Sequence, residues 1–115
     1  MKNILITGGA GYIGSKLATK LVDLNYNVTV IDILKFSKNS LNHLFHRKNF
    51  NFIKENIRNK SLMKNLIKKN EYIIPLAALV GAPLCEKYKK EAKEINLESI
   101  KFLVKNVKKK IRFYI

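Results

Sequence analysis

The chain has 115 residues, room for one domain that removes roughly two-thirds of its unfolded surface from water, and its 47% hydrophobic content supplies a core. Its 23 Lys and Arg against 8 Asp and Glu give a formal net charge of +15, but the lysines are scattered without interleaved aromatics, which argues against nucleic acid and for attraction of small anionic ligands. Cys85 is the only cysteine, no signal peptide precedes the first strand and no apolar run reaches the ~20 residues of a membrane helix, so disulfides and membrane spans are excluded and a cytoplasmic location is expected.

Lys2-Asn3-Ile4-Leu5-Ile6 reads as a first strand, and Ile13, Leu17, Leu21 and Leu24 fall on one face of a following helix. Between them lies Thr7-Gly8-Gly9-Ala10-Gly11-Tyr12-Ile13-Gly14-Ser15. Strand, glycine turn and helix N-terminus present unpaired backbone N–H groups to an anion. Gly8 suits a tight turn, Gly11 lets a phosphate approach the backbone, and Gly14 lets the helix sit close to the sheet. The spacing T-G-x-x-G-x-x-G resembles the short-chain dehydrogenase/reductase superfamily, and the full string is similar to its extended branch, the NAD-dependent epimerase/dehydratases of nucleotide sugars. That resemblance implies that Tyr12 and Ile13 offer backbone to a dinucleotide pyrophosphate.

Asn25-Tyr26-Asn27 makes a polar turn, and Val28-Thr29-Val30-Ile31 reads as a buried parallel strand ending at Asp32. An acid at this point accepts hydrogen bonds from the adenosine ribose hydroxyls and repels a 2′-phosphate, which favours NAD over NADP, with Lys35 the one nearby cation that softens the preference. The plainer role for Asp32 is capping the next turn. Ser37 to Ser40 look like a loop, and Leu41, Leu44 and Phe45 suggest a short helix to about His46 or Arg47. His43 and His46, three apart, lack a third ligand and are read as surface residues, so no metal is expected.

Asn51-Phe52-Ile53-Lys54 reads as a third strand. At Glu55-Asn56-Ile57-Arg58 the resemblance places Asn56 and Ile57 at the adenine, where the family usually has an aspartate and a hydrophobic residue; Asn56 accepts from the exocyclic amine through Oδ1, without the aspartate's charge. Ser61 is the expected cap of a helix with Leu62, Leu66 and Ile67 on one side. Tyr72 to Ala78 form the fourth strand and its exit, with Pro75 marking the end of pairing and Leu76, Ala77 and Ala78 facing the glycine turn across the cofactor crevice. Many relatives have a histidine where this chain has Pro75. The apolar loop 79–85 borders a ligand or simply packs, and Cys85, with no basic neighbour, is an inert small hydrophobe. A long amphipathic helix spans Glu86 to about Lys109 with Ala92, Ile95, Ser99, Leu103 and Val107 on its inner face. Asn96 shares that face; the resemblance implies that it holds backbone or water near the reacting groups, and a purely structural hydrogen bond is the alternative. Ile111 to Ile115 start like a fifth strand.

The expected fold is therefore α/β, a three-layer Rossmann fold with a parallel sheet in the order 3-2-1-4-5, in which residues 1–115 form the NAD-binding part and the substrate domain is absent. The family's catalytic serine or threonine and its Tyr-x-x-x-Lys come after the fifth strand, so no residue here is assigned a catalytic role. Tyr12-Ile13-Gly14-Ser15-Lys16 matches Tyr-x-x-x-Lys by letter, but it overlaps the glycine turn and is not expected to be catalytic. The resemblance implies the NAD(P)-binding part of a nucleotide-sugar epimerase/dehydratase-like oxidoreductase, inactive as this chain alone; a non-enzymatic NAD(P)-binding redox sensor is the alternative. The open last strand predicts self-association.

Overall fold

The computed structural model of the chain describes residues 2–8, 12–33, 40–76, 99–106 and 112–113. Strand β1 (Asn3–Thr7) is buried from Ile4 onward and pairs in parallel with β2 (Asn27–Asp32) on one side and β4 (Tyr72–Pro75) on the other. A central strand covered on both faces has no side for polar residues, hence the unbroken Ile-Leu-Ile run. Strand β3 (Phe50–Lys54) lies outside β2, and the body of the sheet runs β3-β2-β1-β4 as expected. The fifth strand, expected over 111–115, is represented by β5, only Arg112 and Phe113, paired with Tyr72 and Ile73. Ile111, Tyr114 and Ile115 lie outside the described residues.

Helix α1 (Tyr12–Asp23) covers one face of the sheet, where Ala18 and Val22 join Ile4, Ile6, Val28 and Val30 in a buried cluster. Its inward face differs from the expected stripe: Gly14, Ala18 and Val22 are buried, Leu17 and Leu21 are half-buried, and Ile13 and Leu24 are 69% and 56% exposed. The small residues win because a helix that starts at the end of its own strand must lie close above it. Leucines there would hold it away.

The end of α1 is closed by backbone and side chains together. Asn25 takes a left-handed φ of 68°, which lets its N–H reach Val22 O (3.0 Å) and the N–H of Tyr26 reach Leu21 O (3.1 Å), the Schellman arrangement. Arg47 donates to Asp23 Oδ1 (2.8 Å), and Asn49 Nδ2 donates to Val22 O (3.0 Å) and Tyr26 O (2.8 Å). These contacts bind the turn before β3 to the helix. The short helix expected near 41–47 is a single 3-10 turn, Asn42–Leu44, whose Leu44 and preceding Leu41 are buried in the same cluster as α1. Phe45, exposed over about half its surface, packs its ring beside Phe50 and Phe52, with centroids 6.0 and 5.9 Å away.

Helix α2 (Lys60–Lys69) lies on the opposite face and buries Met63, Leu66 and Ile67, while Leu62 is half-buried. Its N-cap is Asn59, whose Oδ1 accepts from the Leu62 N–H (3.2 Å), not the expected Ser61, which is an exposed residue inside the first turn. Helix α3 (Ser99–Asn106) is the described part of the helix expected over 86–109, and Lys60 Nζ lies 5.9 Å from the Phe102 ring centroid.

Asn3 Nδ2 donates to Lys69 O (3.1 Å) and Asn27 Nδ2 to Asn3 Oδ1 (3.0 Å), fastening the end of α2 to the amino ends of β1 and β2. A groove of about 370 Å³ runs between α2 and the sheet, lined by asparagines such as Asn27, Asn51 and Asn65 together with Ile53, Leu62 and Leu66. At this same end the Lys2 ammonium, 3.3 Å from Glu71, is held above the ordinary lysine value by its hydrogen bond to that carboxylate and by the attraction between the two charges.

Candidate functional site

The other end of the sheet is where the strands release the chain. At the exit of β1, the fully enclosed Thr7 is followed by Gly8 at φ 80°, a left-handed conformation that a side chain would disfavour. The Gly8 N–H donates to Ile31 O at 2.9 Å. This bond sets the turn against the last residues of β2, and the next residue along is Asp32, half-buried at the strand's end. The Asp32 carbonyl in turn accepts from the Glu55 N–H (3.2 Å), which brings the exit of β3 alongside. On the other side the Leu76 N–H donates to Thr7 O (2.8 Å), the last link before the chain leaves β4. Four strand ends therefore meet around one turn, and between β1 and β4 the strand order reverses, with α1 on one face and α2 on the other. That reversal opens a crevice at the carboxyl ends of the strands.

Into it points the start of α1. Its first-turn amides have no partner inside the helix and sit at the positive end of its dipole. The buried Gly14 leaves the first turn resting on the sheet, and no acid occurs in that turn to compete with an incoming anion. Tyr12 and Ile13, the first two residues of the helix, are exposed, 75% and 69%. A buried small residue in the first turn of a helix and an acid at the end of the neighbouring strand are the kind of arrangement that accommodates an anionic ligand.

Of the residues singled out in the sequence, Gly8, Tyr12, Ile13, Gly14, Asp32, Asn56, Ile57 and Leu76 are gathered at this end by the strand exits and the first turn of α1. Gly11, Ala77, Ala78 and Asn96 lie outside the described residues, as do Lys35 and Cys85. Two of them make contacts that bear on the proposed adenine position. Asn56 Oδ1 accepts from the Arg58 N–H (2.9 Å) and Arg58 Nε (3.2 Å), closing a local turn that occupies both of its lone pairs. Ile57 is 9% exposed, so most of its surface is in the core, with little left for a ring to stack on.

Sequence reasoning gave Lys16 no part at this end of the molecule. Its Nζ donates to the Tyr12 hydroxyl at 2.7 Å and lies 4.4 Å from the centre of that ring. The i,i+4 spacing was the available signal. His43 Nε2 meets the Thr19 hydroxyl at 2.7 Å; that hydroxyl gives its proton to Ser15 O, so the ring nitrogen is the donor. Among the described residues no cluster of three metal-ligating side chains occurs, and no helix is long and apolar enough to cross a membrane.

A family model described as the NAD dependent epimerase/dehydratase family matches residues 4–114. UDP-N-acetyl-alpha-D-glucosaminuronate decarboxylase of Bacillus cytotoxicus is 32% identical over 97% of this chain and 36% of its own length. Among solved structures, UDP-glucose 4-epimerase of Thermotoga maritima with UDP-glucose superposes with a TM-score of 0.80 at 30% identity, covering 96% of this chain and 37% of that one. dTDP-glucose 4,6-dehydratase of Bacillus anthracis in complex with NAD gives 0.82 at 27% identity, covering 98% and 36%. The chain thus spans about a third of the length of these relatives.

Proposed function

Because the chain belongs to the NAD dependent epimerase/dehydratase family, we propose that it is the NAD-binding part of a nucleotide-sugar epimerase/dehydratase-like oxidoreductase, and that these 115 residues bind the dinucleotide without turning over a sugar. One observation carries the reading: the Gly8 hydrogen bond to Ile31 sets a left-handed glycine turn beside Asp32 at the mouth of the β1/β4 crevice.

The first-turn amides at Tyr12, Ile13 and Gly14, with the backbone at Gly8 and Gly11, hold the pyrophosphate. Asp32 accepts from the adenosine ribose hydroxyls and disfavours a 2′-phosphate, so NAD is preferred to NADP. Asn56 and Ile57 border the adenine, while Leu76, Ala77 and Ala78 leave room for the nicotinamide half and Asn96 orders polar groups near it. When bound, the nicotinamide supplies hydride acceptance and return. The one Tyr-x-x-x-Lys string, at 12–16, lies on the side of α1 turned away from the sheet, which keeps the Tyr12 phenol out of proton transfer across the crevice.

Titration of the chain with NADH, followed by nicotinamide fluorescence, tests this. Saturable binding is expected, with Asp32→Ala about tenfold weaker, the worth of hydrogen bonds to a charged group, and with a narrower preference over NADPH. Absence of saturable binding, or an Asp32→Ala variant equal to the unsubstituted chain for both nucleotides, would remove the assignment. Mixing with NAD and UDP-glucose is expected to yield no reduced nicotinamide.

A further inference from the structure

The groove between α2 and the sheet, about 370 Å³, has the volume of a small-ligand site and shares no residue with the crevice at the carboxyl ends of the strands. Its side-chain amides are not equivalent. Asn70, only 5% exposed, spends its Nδ2 on Leu66 O (2.8 Å), and no donor among the described residues meets its Oδ1. Among those residues no buried side-chain polar atom lacks a partner, so this oxygen reaches the surface, where Asn70 lines the groove. Asn27 is held in the same manner: its Nδ2 donates to Asn3 Oδ1 (3.0 Å), and Asn3 Nδ2 donates to Lys69 O (3.1 Å), which leaves Asn27 Oδ1 as a second positioned acceptor. An amide whose nitrogen is committed in this way does not turn over to offer that nitrogen instead. Asn51 and Asn65 are exposed and make no side-chain hydrogen bond to another described residue, so they supply a donor or an acceptor as required. Ile53, Leu62 and Leu66 complete the lining with aliphatic surface.

Two fixed acceptors call for donors. A cationic ligand is disfavoured, because Lys69 lines the same groove and the chain carries a formal charge of +15. An ionised phosphate or carboxylate has no proton to give and meets Asn70 and Asn27 oxygen to oxygen. Neutral hydroxyls satisfy both conditions, and several of them on one compact ring fit the volume better than an extended peptide, whose successive N–H groups point to opposite sides. We infer that the groove is a binding site for a neutral polyhydroxyl ligand the size of a single sugar ring. Two hydroxyls donate to Asn70 Oδ1 and Asn27 Oδ1. The amides of Asn51 and Asn65, each with a donor beside an acceptor, pair with neighbouring hydroxyls, and the C–H face of the ring lies on Ile53, Leu62 and Leu66.

The test is a titration of the full, isotope-labelled chain with D-glucose, glucose 6-phosphate and triglycine, followed by the side-chain NH2 signals of asparagine in two-dimensional NMR. With glucose the Asn51 and Asn65 signals are expected to shift and saturate in the millimolar range. Asn51→Ala and Asn65→Ala, both at exposed positions, each weaken binding about three- to fivefold, whereas Lys69→Gln leaves it within about twofold. The backbone signals of each variant report in the same spectra that the fold is intact. Glucose 6-phosphate binds no more tightly than glucose, and triglycine less. Absence of a saturable shift across the millimolar range overturns the assignment, as does binding that neither alanine variant weakens. Tighter binding of the phosphate, lost in Lys69→Gln, would make the groove an anion site, and tighter binding of triglycine would make it a peptide groove; both outcomes also overturn it.

Discussion

Asn56, proposed to border the adenine, has hydrogen bonds of its own in this structure. Its position after β3 was legible because the strand's length and the polar turn behind it were, but its hydrogen bonds were not: an amide oxygen followed two residues later by a backbone N–H and a guanidinium closes on its own neighbours first. Both lone pairs are then used, and adenine recognition has to compete with Arg58. A carboxylate at this point offers about four acceptor positions and can serve both. Asn56→Asp is accordingly expected to tighten NADH binding by about two- to fivefold, read by the same fluorescence titration. Unchanged or weaker binding would place the adenine elsewhere. Asp32 needed no such revision of place, since the β-branched run before it ends where the pairing with β1 ends.

At the scale of elements, the strands were readable and the helix faces less so. Continuous apolar runs and the glycine turn locate β1 and β2, because buried parallel strands carry one unmistakable apolar run. For α1, hydrophobicity alone pointed to Ile13 and Leu24, whereas close approach to the sheet selects Gly14, Ala18 and Val22. Ala18→Leu is thus expected to overpack this contact and lower stability by about 1–3 kcal/mol in chemical denaturation. A neutral result would mean that α1 has room to move off the sheet. The start of α2 makes a similar point. Ser61 looked like a cap by residue type, but Asn59 holds the bond to the Leu62 N–H, so Asn59→Ala should cost about 1 kcal/mol and Ser61→Ala little. Equal losses would contradict the cap. The short helix read from Leu41, Leu44 and Phe45 is in fact only the 3-10 turn at 42–44, because a three-residue spacing fits one tight turn as well as the start of a longer helix.

For the whole molecule, charge and open edges act against each other. Among the described residues β3 pairs only with β2, and β5 only with β4, so these two are the outermost described strands, where further strand pairing is expected to occur if it occurs at all. A formal charge of +15 repels a second copy at low ionic strength. Self-association is therefore expected to increase as salt is added, while NADH affinity declines over the same range, because screening removes repulsion in one case and attraction in the other. Light scattering across a salt series reads the first; a monodisperse monomer at high protein concentration and high salt would show that the edges are closed.

The bond from the Gly8 N–H to the Ile31 carbonyl ties the glycine turn to the end of β2, so the two parts proposed to read charge and sugar belong to a single jaw. Neither half can drift without dragging the other. On the proposed reading, substitutions that loosen the glycine bend are expected to blur the choice between the two nicotinamide nucleotides as well as to slacken the grip, even though they leave the carboxylate itself unchanged.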